Sequence, residues 1–221
     1  MCGIAGQLNF HSQAPVDLDV IRRMTSVIAH RGPDDEGYFL SGPVGLGFRR
    51  LSIIDLSGGH QPMSDSESKV WVVFNGEIYN YPELRSILQQ KGHQFRTQSD
   101  TEVIVHGYKE WGTGIFRRVK GMFGLAIWDV SNRRLIVARD AMGIKLVSYR
   151  NEDGCLTFGS EIRAILAAGK ERPRVDPVAL SRFLQFRYTP SPSTIYEGIR
   201  KLAPGTMLVV EEGTCREERW Y

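Results

Sequence analysis

Between residues 122 and 160 the chain passes through four short apolar runs, at 123–130, 135–139, 148–150 and 156–160. Turn residues separate them at Ser131-Asn132 and at 151–154. Runs of strand length broken by such turns predict a meander of antiparallel strands. The same signal recurs earlier. Residues 4–10 alternate apolar with small or polar side chains and read as a strand that begins almost at the N-terminus, where a sheet can hold the chain end rigidly. Residues 44–48 lead by alternation toward a second apolar stretch at 51–55, and 70–74 is continuously apolar, so both regions read as buried strands.

Helices fall between these sheet segments. Asp17 is placed to cap a helix whose apolar face is Ile21, Met24, Val27 and Ile28, and this helix ends before the bent, polar Arg31-Gly32-Pro33-Asp34. Pro82 in a first turn, Leu84, Ile87, Leu88 and a terminal Gly92 define another. A strand-like 94–98 and a helix through Val103, Ile104, Gly107, Tyr108 and Trp111 follow, then helices at 161–168 and 176–186 and a hairpin about Gly213. The expectation is an α+β domain spanning residues 1–221, with two sheets and helical layers.

Composition removes several functional classes. The 28 basic residues nearly balance 25 acidic ones, and no basic block or aromatic-basic interleaving of a nucleic-acid surface occurs. No apolar run approaches membrane-spanning length and the start lacks a secretory pattern, so the expected location is the cytoplasm, with no membrane partner. Three cysteines without a CxxC spacing suggest neither a disulfide framework nor zinc, and the five histidines show no ligand spacing, so no metal site is expected. Ser57-Gly58-Gly59 is followed by His60-Gln61-Pro62 and reads as a turn, not a pyrophosphate loop.

Four places carry chemistry. Removal of Met1 would leave Cys2 with a thiol and a free α-amine, a nucleophile and base in one residue, since an unperturbed amine near ~7.7–8.0 can accept a thiol proton. The alternative is an incidental small hydrophobe after the initiator. Asn75-Gly76-Glu77 follows the apolar run ending at Phe74, where a side-chain amide and a glycine N–H can serve as oxyanion-hole donors; a plain Asn-Gly turn is the competing reading, which the helix after it weakens. Arg50, beside Arg49, carries the planar fork suited to a carboxylate. Asp100 either caps the following helix or binds an ammonium group. A thiol for an amide, an arginine for a carboxylate and an acid for an ammonium together fit glutamine.

Several motifs then occur in order: Cys2-Gly3-Ile4, His30-Arg31-Gly32-Pro33-Asp34, Arg50-Leu51-Ser52-Ile53-Ile54-Asp55 and Phe74-Asn75-Gly76-Glu77-Ile78-Tyr79-Asn80. Ser99-Asp100-Thr101-Glu102, Gly121-Met122-Phe123, Arg139-Asp140, Gly143-Ile144-Lys145, Phe158-Gly159-Ser160-Glu161-Ile162 and Lys201-Leu202-Ala203-Pro204-Gly205 continue them. Across essentially its whole length the chain resembles class II glutamine amidotransferases, of the asparagine synthetase B type.

The resemblance implies the N-terminal-nucleophile hydrolase fold, a four-layer αββα sandwich of two mainly antiparallel sheets. It implies a glutaminase in which Cys2 forms a glutamyl thioester, with Asn75 and Gly76 as the oxyanion hole. Arg50 would hold the α-carboxylate, Asp100 and Glu77 would lie near the α-amine, and Leu51, Ser52, Ile53 and Ile54 would supply pocket backbone. It implies no cofactor in this chain, ATP and Mg2+ belonging to a synthetase domain or chain that would be the partner and use the ammonia. Homodimerisation is left open, as is a non-catalytic glutamine-binding or regulatory role. Two departures stand out. Lys145 is followed by Leu146-Val147-Ser148-Tyr149 where relatives usually carry Pro-Leu-Tyr-Tyr, and Trp220-Tyr221 falls about where a linker to the synthetase half would begin.

Overall fold

A computed structural model describes residues 1–52, 58–169, 171 and 173–221. The chain opens with β1 (Gly3–Asn9), α1 (Leu18–Ser26), β2 (Asp35–Ser41) and β3 (Val44–Arg50), then β4 (Met63–Ser64) and β5 (Val70–Ile78). Two helices follow, α2 (Tyr81–Gln90) and α3 (Thr101–Trp111), before β6 (Gly121–Asp129), β7 (Arg134–Arg139), β8 (Ser148–Glu152) and β9 (Cys155–Gly159). The remainder is α4 (Ile162–Ala168), α5 (Pro177–Phe186), β10 (Ile199–Lys201), β11 (Thr206–Glu211) and β12 (Thr214–Arg219).

The strands form two sheets, ordered β10-β8-β9-β1-β3-β2 and β12-β11-β7-β6-β5-β4, and every pairing in them is antiparallel. Alternation along the strands explains the layers. On β1, Ile4 and Leu8 join Leu46, Phe48 and Phe158 of the first sheet against Val73, Ala126, Val137 and Leu208 of the second, making the core between the sheets. The opposite face of the first sheet carries Ala5 and is covered by Ile21, Met24 and Ile28 with Ala164 of α4. On the far side, Val72, Phe74, Leu125 and Ile127 pack beneath Leu84, Leu88 and Ile104 of α2 and α3. The result is the expected αββα order.

Small residues set the spacing where α1 meets its sheet. A Cβ on Gly45 would lie 2.8 Å from Ile21 Cγ1, and one on Gly47 would lie 2.6 Å from Ile21 Cγ2 and Thr25 Cγ2, so these glycines let the helix settle onto β3. Asp17 caps α1 as expected, accepting from the Asp19 N–H at 2.9 Å. Val27 departs from the anticipated apolar face, because the helix ends at Ser26 and its cap turns that side chain outward.

Four other expectations change. The meander is broken after β7: β6 and β7 lie in one sheet and β8 and β9 in the other, so 140–147 is a crossing between sheets. Residues 94–98 form no strand, because the Arg96 and Thr97 N–H groups donate to the Glu102 carboxylate, each at 2.8 Å, instead of to a neighbouring strand. The stretch expected to be a strand at 51–55 does not begin as one: β3 ends at Arg50, and Leu51 and Ser52 are irregular. Residues 53–55 of that reading lie outside the described residues. The strand at 70–74 runs on to Ile78. Among the described residues no helix is long and apolar enough to cross a membrane.

Candidate active site

The termini of β1, β3 and β5 converge with the start of α3 on a cavity of about 190 Å3. It is lined by Cys2, Arg50, Leu51, Asn75, Gly76, Glu77 and Asp100, with Met1, Gln61, Ser99, Met122 and Lys145 among the other walls. That volume lies below the ~300–1,000 Å3 usual for drug-sized ligands, so the site suits a small molecule.

Cys2 is fixed from both sides. Antiparallel pairing sets Gly3 against Arg49, so the chain reaches the cavity edge at Cys2 as β3 does at Arg50. The Leu51 N–H donates to Sγ at 3.4 Å, and the Leu51 carbonyl lies 3.7 Å from the same sulfur. Arg31 holds the other end of the residue, its Nε donating to the Cys2 carbonyl at 2.9 Å while its Nη1 contacts Glu161 Oε1 at 3.0 Å. Burial opposes ionisation of Glu161, but Arg31 and then His30 hold its carboxyl below the usual range. Arg31 thus anchors the Cys2 backbone, a role its place in the sequence motif did not disclose.

Asn75 and Gly76 sit within β5, in register with Gly124 and Phe123. This overturns the hairpin-turn reading. Asn75 is 1% exposed, and its Nδ2 is buried without any hydrogen-bond partner. A buried donor in that condition costs about 1–3 kcal/mol, so its retention marks a place where an acceptor is wanted. Gly76 is required sterically: a Cβ there would fall 2.2 Å from the Met122 carbonyl oxygen.

Asp100 stands at the N-cap position of α3 but makes no side-chain cap hydrogen bond there. Its Oδ2 accepts from the Ile78 N–H at 2.9 Å, joining the helix start to the end of β5. Burial pushes its carboxyl above the usual range, against the lowering effect of the Ile78 N–H, and Glu77 adds to the rise. A cation between the two acids would offset that cost. Arg50 is 6% exposed and lines the same cavity.

Ser52 is not among the lining residues; its N–H donates to Asp34 Oδ2 at 2.8 Å, which shapes the turn beside the site. Ile53 and Ile54 lie outside the described residues. Sequence reasoning missed Gln61, whose side chain behaves like a short strand beside β5: Oε1 accepts from the Phe74 N–H at 2.6 Å, and Nε2 donates to the Phe74 carbonyl at 3.2 Å. Its Nε2 also reaches Thr101 Oγ1 at 3.3 Å, tying β5 to α3. No local pattern around His60-Gln61-Pro62 signals this, since its partners are distant in sequence.

A family model described as a glutamine amidotransferase domain matches residues 1–221. Asparagine synthetase (glutamine-hydrolyzing) 1 of Bacillus subtilis (strain 168) is 40% identical over 212 residues, covering 95% of this chain and 33% of that protein. Asparagine synthetase (glutamine-hydrolyzing) 3 of the same organism is 38% identical over 224 residues, covering 100% and 36%. The chain therefore spans about a third of the length of these relatives. Among solved structures, a glutamine phosphoribosylpyrophosphate amidotransferase from B. subtilis aligns over 100% of this chain and 49% of its own, with a TM-score of 0.73 at 19% identity, a likeness of fold. The two-sheet sandwich, a cysteine held at its edge and the match along the full length agree: the chain belongs to the glutamine amidotransferase domain family.

Proposed function

We propose that this chain is the glutaminase half of an asparagine-synthetase-like enzyme, hydrolysing glutamine to glutamate and ammonia through Cys2. The observation that carries this reading is one small cavity holding Cys2, the unpartnered Asn75 amide, Arg50 and Asp100. Once Met1 is removed, the α-amine of Cys2 takes the thiol proton and Sγ attacks the side-chain carboxamide. The tetrahedral oxyanion is received by Asn75 Nδ2 and the Gly76 N–H. The protonated amine returns its proton to the leaving nitrogen, the C–N bond breaks, and ammonia departs from a glutamyl thioester. Water then adds to the thioester with the amine again as base, giving glutamate and restoring the thiol.

Arg50 pairs with the α-carboxylate, and Asp100 with Glu77 receives the α-ammonium, so the two charged ends of the ligand position its amide. No cofactor is needed for this half; ATP and Mg2+ would serve a synthetase domain or chain that consumes the ammonia, for which the threefold greater length of the relatives is the support. Cys2, Cys155 and Cys215 are all unpaired, which suits a reducing compartment and therefore the cytoplasm.

The test is glutamate release by protein whose intact mass confirms loss of Met1. Turnover that vanishes in Cys2→Ala supports the reading. Glutamine binding seen by calorimetry without turnover would support a regulatory module instead.

A further inference from the structure

Among the described residues that line the cavity, four are charged: Arg50, Lys145, Glu77 and Asp100. On the proposed reading, a zwitterionic ligand matches Arg50 with its carboxylate and the two acids with its ammonium. Lys145 is left over. It is 6% exposed, and among the described residues it forms no ion pair and its Nζ has one hydrogen-bond partner, Met1 Sδ at 3.3 Å. A thioether is a weak acceptor, and buried ammonium groups are ordinarily paired. Moreover, this acceptor belongs to the residue whose removal exposes the nucleophile's amine.

The backbone around Lys145 is built to hold it there. Its N–H donates to Asp140 Oδ2 at 2.9 Å and its carbonyl accepts from Arg139 Nε at 2.7 Å. Its Cβ stands 3.8 Å from the Cβ position of Gly124, and Gly124 is the register partner of Asn75. Lys145 therefore enters the cavity wall from the crossing segment, with its ammonium beside Met1 and its Cβ beside the register partner of Asn75.

We infer that Lys145 is a further functional residue of the glutaminase site, its ammonium losing the Met1 thioether on maturation and then facing the negative charge that forms on the Cys2 sulfur and the tetrahedral intermediate. The inference rests on the proposed glutaminase reading for its place in turnover, while its effect on the thiol can be measured without glutamine.

Met1-free protein, checked by intact mass, is compared as wild type, Lys145→Met and Lys145→Arg. Each is made in a Cys155→Ser, Cys215→Ser background so that iodoacetamide reports Cys2 alone. Because the inferred ammonium faces the sulfur that carries the reactive negative charge, Lys145→Met is expected to slow alkylation about tenfold. It is also expected to lower kcat for glutamine about ten- to hundredfold with KM nearly unchanged, and Lys145→Arg is expected to recover part of both. Because the Asp140 and Arg139 bonds use only the Lys145 backbone, the variants should melt with the parent; if Lys145→Met fails to fold, Lys145→Arg and Lys145→Gln supply the comparison. Unchanged alkylation and kcat would overturn the inference, as would a rise in KM alone, which places Lys145 on the ligand carboxylate. Absence of glutamate release by the parent would sink the glutaminase reading, and the alkylation rates would still decide this one.

Discussion

Asn75 keeps a buried amide donor without an acceptor, a condition that lowers stability unless a transient ligand group relieves it. Asn75→Ala is expected to lower kcat for glutamine about 10²–10³-fold with little change in KM, the signature of an interaction made in the transition state. Asp100 makes the complementary case at the other end of the proposed ligand. Burial raises its carboxyl above the ordinary value, so its protonated form is the one the fold favours. That contribution is present below the ordinary value of about 3.9 and is lost as pH rises through the folded one, leaving a cost at neutral pH. Asp100→Asn keeps an acceptor for the Ile78 N–H and removes the charge. Its thermal midpoint at pH 7 without ligand is expected to exceed wild type, the difference closing toward pH 4, while KM for glutamine rises about ten- to hundredfold. A lower midpoint at pH 7 would show that the carboxylate is stabilising. Residue types alone suggested a zwitterionic amide as the ligand, because an arginine, an acid and a thiol each have one obvious complement. They did not reveal Gln61 or Arg31, whose work is to hold backbone atoms of other residues.

The segment joining the two sheets shows how side chains overrule strand patterning. Asp140 is fully buried, and its carboxylate accepts from the N–H groups of Phe123, Met142, Ile144 and Lys145 at 2.9–3.2 Å. Arg139 reaches the carbonyls of Gly143, Lys145 and Leu202. Together they satisfy a tight crossing where the sequence pattern predicts continued pairing. Asp140→Ala would leave several of those donors unpaired, and chemical denaturation should register a loss of about 3 kcal/mol or more. Glu102 does similar work at the start of α3. Burial opposes its charge, yet His106, the Arg96 and Thr97 N–H groups and the Thr97 hydroxyl outweigh it and hold the carboxyl down at about 2. A lowered value means the stabilisation is complete above the ordinary carboxylate range and fades as pH falls from about 4.5 toward 2. Glu102→Gln is expected to flatten stability across that acid range and to speed amide hydrogen exchange at Arg96 and Thr97; an unchanged acid profile would contradict the tether. Here lies the reason 94–98 misreads as a strand: its alternation is real, but its N–H groups are claimed by one carboxylate. β2 and β10 escaped notice for a simpler cause, since edge strands of this composition lack the buried alternation that marks β1 or β6.

The αββα order came with the family resemblance, but two sheets with helical layers were legible because each central strand alternates between two buried faces, and each capped helix has one face to bury. Sheet membership was not, since identical hairpins can join either sheet and only tertiary contacts decide between them. The inter-sheet core should be costly to hollow. Phe158 is fully buried, and its ring occupies the space that a side chain on Gly6 would need, so Phe158→Ala is expected to destabilise by about 3–5 kcal/mol while leaving the cavity walls in place. β1 stands between β3 and β9, at the centre of its sheet. During synthesis it can pair with β3 early, but its second neighbour emerges only after roughly a further hundred residues, an interval of about 5–20 s at usual elongation rates. The inner edge of β1 thus stays open for seconds, a kinetic window in which it can take a wrong strand before β9 closes the sheet along Ala5–Asn9.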